Sequence, residues 1–368
     1  MKKLVSLLLA ATLAVGCLVG CGGGQASGYE IALITDKGNI DDKSFNQGAW
    51  EGVVAYAKAN NITHQYYKPE EASDAGYLAA IQLAVDGGAK VVVCPGYLFE
   101  AAVYEAQTKF PEVKFILLDG EPHTPDYATY KTEANVACIM YAEEEAGFLA
   151  GYAAVKDGMT TLGFEGGMAV PAVVAFGYGY LQGIEAAATE MGLADGSVKV
   201  FYHYTGDFAE TDANKLTAKN MIQSGAQVIF GCGGSVGKSV FAAAAEGQIK
   251  SIGVDVNQKA DSATVITSAM KGLGASVQAV LDAIYTDKFA TYGGKTTYFT
   301  AANNGVGLPD DYERFTTFTK ADYEAIYAKL VNGSIDPIRA FDIADAAAVT
   351  AEDLQNNLNL KKVVVEKR

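Results

Sequence analysis

Chemistry in this sequence concentrates in one polar loop, two aspartates and one glycine-rich turn. The loop is Asp36-Lys37-Gly38-Asn39-Ile40-Asp41-Asp42-Lys43-Ser44-Phe45-Asn46-Gln47. It follows an apolar run and opens a helical pattern, which is where open α/β sheets hold their ligands. Asp42 or Ser44 suits the N-cap. Capping does not account for Phe45 and Asn46, an aromatic and an amide at the mouth of a cleft, so both are candidate ligand contacts. Asp119 closes the apolar run from Val113, and Asp255 closes the run from Ile249. Gly233-x-Ser235-x-Gly237 has the form of a nucleophile elbow, but a hydrolase of that type needs its histidine after the serine. His64, His123 and His203 all precede Ser235, so an extracellular serine hydrolase is the weaker alternative. Gly237-Lys238-Ser239 ends like a P-loop, yet Cys232 stands where its first glycine belongs. These glycines suit close approach of backbone to a small ligand. The histidines are isolated and the aspartates of the 36–42 loop lack calcium-loop spacing. The expectation is a site with no metal and no cofactor.

The two aspartates belong to an internal echo. Gly88-Ala89-Lys90-Val91-Val92-Val93-Cys94-Pro95-Gly96 is repeated in kind by Gly225-Ala226-Gln227-Val228-Ile229-Phe230-Gly231-Cys232-Gly233. Each is followed by a helix-length stretch and then by an aspartate-terminated run. Both units read as βαβ passages with buried parallel strands. The echo predicts two similar lobes, each with an aspartate at its mouth and a ligand between them.

Around the echo, strand and helix patterns alternate almost without a break. Strands are expected over 29–35, 63–67, 161–165, 198–204, 263–268 and 297–300. Helices are expected over 45–60, 73–86, 141–156, 173–191, 210–224 and 274–288, with Gly147 and Gly151 allowing close packing in the helix that contains them. The pattern is doubly wound α/β: two lobes, each a mostly parallel sheet with helices on both faces. The expected division is 29–139 plus 260–289 for the first lobe and 140–259 plus 290–345 for the second. The tail 346–368 has no assigned role.

The chain has 368 residues, 43 acidic against 28 basic, for a net charge of -15. That balance argues against binding a nucleic acid polymer. Lys2-Lys3 followed by an apolar stretch from Leu4 to Val19 is a leader rather than a membrane span. Leu18-Val19-Gly20-Cys21 resembles a bacterial lipobox, which implies removal of residues 1–20 and diacylation of Cys21. Two acyl chains give lasting attachment, whereas one is marginal. Residues 21–28 then read as a flexible tether on the extracytoplasmic face. The body keeps Cys94, Cys138 and Cys232, an odd number that offers no disulfide framework.

The loop from Asp36 to Gln47, together with Gly166-Gly167-Met168-x-x-Pro171, Gly253-Val254-Asp255-x-x-Gln258 and Thr267-Ser268-x-x-Lys271, resembles the basic membrane protein family of PnrA-like lipoproteins. The resemblance runs from about Tyr29 to Asn332. It implies the two-lobed type I periplasmic-binding-protein fold and a substrate-binding subunit that delivers purine nucleosides to an ABC permease. A sugar- or signal-binding lipoprotein on the same fold is the alternative within that class. The resemblance places a purine between Phe45 and Phe208, with Phe176 or Tyr178 as alternatives for the second face. It gives base-edge hydrogen bonds to Asp36 and Asn46, the ribose to Asp119, Asp255 and Lys271, and a stretch of cleft wall to Gly234. The sequence departs from the family at Val256-Asn257 and in the glycine-rich Phe176-Gly177-Tyr178.

Overall fold

The computed structural model describes residues 28–341 and 345–368; the leader, Cys21 and all of the tether but Gly28 lie outside the described residues. Along the chain run β1 (Ile31–Ile34), α1 (Phe45–Asn60), β2 (His64–Tyr67), α2 (Asp74–Asp86), β3 (Val91–Pro95), α3 (Glu100–Lys109), β4 (Lys114–Leu118) and β5 (Val136–Tyr141). There follow α4 (Glu143–Lys156), β6 (Thr161–Gly166), α5 (Pro171–Glu190), β7 (Val198–Tyr204), α6 (Asp212–Gln223), β8 (Val228–Cys232), α7 (Val236–Gly247), β9 (Lys250–Asp255) and β10 (Val265–Lys271). Last come α8 (Leu273–Tyr285), β11 (Lys295–Phe299), β12 (Val306–Gly307), α9 (Lys320–Val331), α10 (Ala351–Asn357) and β13 (Val363–Lys367).

The strands form two sheets, in the orders β11-β5-β4-β3-β1-β2 and β12-β10-β9-β8-β6-β7-β13. Every pairing is parallel except that of β12 with β10. Parallel strands covered on both faces must be apolar on both. In β1, Ile31 and Leu33 join the core under α1, while Ala32 and Ile34 join the core under α2 and α3. Burying an aliphatic side chain of this kind contributes about 1.5–3 kcal/mol, so the sheet centres are the stable part of each lobe.

Helix α4 is buried nearly all round and packs on α5 through glycines. A Cβ at Gly147 would lie 2.1 Å from the Phe176 carbonyl oxygen, and one at Gly179 would lie 2.0 Å from that of Glu144. At Gly177, the glycine of the departure in α5, a Cβ would instead lie 2.0 Å from the Tyr202 hydroxyl.

The lobe boundaries differ from expectation in four ways. The expected first-lobe segment 260–289 is split: β10 pairs with β9 in the second sheet, and only α8 returns to pack on α1. The strand in 290–345 joins the first sheet, where β11 pairs with β5. Strand β5, unforeseen, carries the first lobe to Tyr141, past the expected boundary at 139. The tail ends in β13, which extends the second sheet beside β7 and buries Val363 and Val365. Short apolar runs look alike in sequence; pairing with a particular sheet depends on neighbours far away in the chain. The backbone thus crosses between lobes three times, after β5, after β10 and after β11.

Candidate functional site

The carboxyl ends of both sheets face one another across a cleft, and a cavity of about 510 Å³ lies between them. That volume falls in the ordinary range for small-molecule sites. From the first lobe, the loop after β1 brings Asp36, Phe45 and Asn46 to the cavity, and the end of β4 brings Asp119. The second lobe brings Phe208, Gly234, Asp255 and Lys271, together with Phe176 from α5. Tyr178 does not line it. Two residues further along a helix point about 200° away, and Tyr178 stacks instead on Phe341, with ring centroids 4.4 Å apart.

Asp42 organises the loop. Its carboxylate accepts from the backbone N–H groups of Ser44 (2.8 Å), Asn46 (3.0 Å) and Gln47 (3.1 Å), capping α1 from two residues before Ser44. Asn46 Nδ2 donates to Asp42 Oδ2 (2.9 Å) and to Asp36 Oδ1 (2.8 Å), and Asn46 Oδ1 accepts from the Asp36 N–H (3.1 Å). Both amide hydrogens of Asn46 are therefore spent on the protein. The residue aims Asp36 rather than offering a free donor. Gly38 N–H also donates to Asp36 Oδ1 (2.7 Å), so Asp36 Oδ2 remains the oxygen outside this network. Burial pushes the Asp36 carboxyl up to about 6, against the pull of these donors.

Phe208 sits on glycine backbone. A Cβ at Gly167 would lie 2.5 Å from its ring and one at Gly233 would lie 3.1 Å away, while one at Gly234 would lie 3.2 Å from its Cβ. The second-lobe glycines thus seat an aromatic wall. Ser235 N–H donates to the Phe208 carbonyl (2.9 Å), and none of the three histidines lines the cavity.

Lys271 is the electrostatic centre. Its Nζ lies 2.5 Å from Asp119 Oδ2 and 2.8 Å from Glu143 Oε1, and stands 4.8, 5.1 and 5.5 Å from the ring centroids of Phe45, Tyr141 and Phe176. Burial alone would lower its pKa; the carboxylates of Asp119, Glu143 and Asp255 outweigh burial and hold the ammonium protonated. Glu143 is also 2.5 Å from Arg339. Burial opposes its charge, but Lys271 and Arg339 together keep it below the usual range. Asp119 has Lys271 alone to set against burial and the charge of Glu143, so its carboxyl is pushed up. Asp119 is the nearer counter-ion of Lys271, and Glu143 is shared between Lys271 and Arg339. Asp119 Oδ1 is buried and has no hydrogen-bond partner. Across the cleft, Ser44 Oγ donates to Asp255 Oδ2, and burial raises that carboxyl to about 6 despite Lys271 and this bond. Gln258 Nε2 donates to the Lys43 carbonyl (2.7 Å), a second contact between lobes.

Sequence reasoning missed Glu143, Arg339 and the cross-cleft role of Ser44. It also left Lys271 as the one cation at the site, whereas Lys37 and Lys238 line the cavity too. A signal existed for the first pair. Three glutamates open α4 directly after an apolar strand, and the chain has only three arginines, Arg314, Arg339 and Arg368.

A family model described as ABC transporter substrate-binding protein, PnrA-like (Bmp), matches residues 30–336. An ABC transporter nucleoside-binding protein, BmpA, of Lactococcus lactis is 30% identical over 83% of this chain and 91% of its own. A lipoprotein of Pyrococcus abyssi is 29% identical over 87% of this chain and 81% of its own. The fold matches an ABC transporter solute-binding protein from Aeropyrum pernix with a TM-score of 0.76 and 23% identity, covering 90% of this chain and 99% of the other. Among the described residues no helix is long and apolar enough to cross a membrane.

Proposed function

Because this chain belongs to the Bmp family of PnrA-like ABC transporter substrate-binding proteins, we propose that it captures purine nucleosides between its lobes and delivers them to an ABC permease. One observation carries the reading. Aromatic walls from opposite lobes, Phe45 and Phe208, share a cavity with an acceptor, the Asp119 carboxylate, that lies 2.5 Å from a buried ammonium. A flat apolar base fits between the aromatics, and a sugar hydroxyl fits the acceptor. The name of the Lactococcus relative, a nucleoside-binding protein, agrees with this.

In this mechanism nothing is chemically transformed. Phe45 and Phe208 stack on the base, and Asp36, aimed by Asn46, accepts from a base N–H. Asp119 and Asp255 accept from ribose hydroxyls, and Lys271 donates. Gly234 backbone closes the wall. Hinge closure expels water, and the contacts made only when the lobes meet stabilise the closed form. The body works outside the cytoplasm, held to the membrane by lipid on Cys21. Cys21→Ser then releases it in soluble form with ligand binding intact, and retention of that variant on membranes points to another anchor.

The test is calorimetric titration with guanosine, guanine and GMP at one salt concentration. Guanosine should bind tightest. Guanine leaves buried polar groups unpaired, a penalty that rejects analogues strongly. GMP brings a phosphate to a cavity lined by seven carboxylates and three lysines, where repulsion and desolvation oppose it. Equal binding of guanine or GMP removes the ribose assignment. Failure of all three, and of adenosine and inosine, removes the nucleoside reading.

A further inference from the structure

A row of charges leads from the ligand cavity to a partly exposed arginine at the first crossing between the lobes. It runs Asp119, Lys271, Glu143, Arg339, with Glu144 at the far end 2.7 Å from Arg339. Arg339 comes from the segment after α9, beyond the family match that ends at residue 336. That segment is pinned to α5 on both sides of the arginine. Gln182 exchanges two hydrogen bonds with the Ile338 backbone (2.8 and 2.9 Å), and Phe341 stacks on Tyr178. Arg339 Nη1 also donates to the Tyr141 carbonyl (2.6 Å), at the first crossing between lobes. Its side chain remains 28% exposed, while those of Glu143 and Lys271 are each 1% exposed.

Glu143 shared between two cations stays ionised and fixed. Without Arg339 it would draw Lys271 toward itself as its sole partner, and Lys271 would hold Asp119 less well. We propose that Arg339, acting through Glu143, is a positioning residue for ligand capture: it sets the Lys271 ammonium on Asp119 Oδ2 and so holds the Asp119 carboxylate at the cavity wall. Tyr178 and Gln182 serve the same end by clamping the segment that carries Arg339. The inference rests on the nucleoside reading in one respect, that the group Asp119 meets is a ribose hydroxyl.

The experiment compares wild type, Arg339→Gln and Arg339→Lys by calorimetry with guanosine and with 2′,3′-dideoxyguanosine, and by thermal melting. Guanosine should weaken about tenfold in Arg339→Gln, within the range for coupled neighbours, while the dideoxy ligand changes little. Arg339→Lys should recover part of the loss. Equal weakening of both ligands is what a merely structural role gives, and it overturns the proposal. A second measurement needs no nucleoside. The Lys271 side-chain ammonium, followed by ¹⁵N NMR and assigned through Lys271→Arg, should shift or disappear in Arg339→Gln and return in Arg339→Lys. An unmoved signal overturns the proposal. A signal that moves as expected in a protein that takes no nucleoside leaves the positioning role standing and removes the nucleoside reading.

Discussion

The β3–β4 and β8–β9 units share one backbone and differ in what they hold. Gly96 and Gly233 follow the first strand of each with φ of 120° and 132°, and Asp119 and Asp255 stand at the end of the second with φ of 57° and 65°. Only glycine adopts the first conformation freely, and aspartate tolerates the left-handed one better than most residues. The space left by each missing Cβ is used differently. At Gly96 the nearest atom to a Cβ would be Asp36 Oδ2, 3.3 Å away; at Gly233 the Phe208 ring lies about as close, 3.1 Å away. One lobe brings up a carboxylate, the other an aromatic face. The aspartates are partnered reciprocally, Asp119 by Lys271 of the second lobe and Asp255 by Ser44 of the first. One contact is an ion pair and the other a hydroxyl bond. A repeated backbone thus supplies two equivalent positions, and each lobe completes the other's.

The largest expected effect tests that inequality. Lys271→Met leaves Asp119 and Glu143 buried without their shared cation, and breaking a buried pair costs about 3–5 kcal/mol. Melting at neutral pH should show a loss of that order, and binding should fall with it. A loss no greater than that of Ser44→Ala would make the two aspartates equivalent after all.

Next comes the aromatic asymmetry. Stacking on an aromatic side chain contributes about 1–3 kcal/mol per base, so Phe45→Ala and Phe208→Ala should each weaken guanosine about tenfold or more by calorimetry. A neutral Phe208→Ala would move the second face to Phe176, which also lines the cavity.

The carboxyls give the comparison a pH signature. Asp36 and Asp255 have folded pKa values raised to about 6, above their unfolded values. The folded form therefore binds these protons more tightly, so their stabilisation is complete below about pH 4 and is lost as pH rises through about 6. Melting temperature of the ligand-free protein should decline across that window, and Asp255→Asn should remove the second lobe's share. An Asp255→Asn variant whose melting temperature follows the same pH profile as wild type would contradict the burial of that carboxyl.

Ser44→Ala should cost about 0.5–1.5 kcal/mol, the net worth of one hydrogen bond, and should speed ligand release in stopped-flow measurements. Smallest of all, Ser235→Ala should leave affinity nearly unchanged. A hydrolytic turnover lost in that variant would overturn the binding reading.

What the residues determined alone was local. The echo, its glycines and its terminal aspartates could be read because backbone conformation and strand burial restrict residue types position by position. The loop from Asp36 to Gln47 stood out because capping accounted for only part of it. Most helices and strands, and the close packing at Gly147 and Gly151, followed from apolar periodicity. Tertiary structure decided the rest. Membership of β10 and β11 in their sheets, and the very presence of β5, depended on partners up to 158 residues away. Asn46 proved an anchor for Asp36 only once Asp42 was seen beside it. Tyr178 turned from the cavity because α5 presents it to Phe341. The Glu143–Arg339 pair spans 196 positions in the chain, and no local pattern encodes a distance of that kind. It exists because three crossings bring the hinge, α4 and the final segment together around one buried lysine.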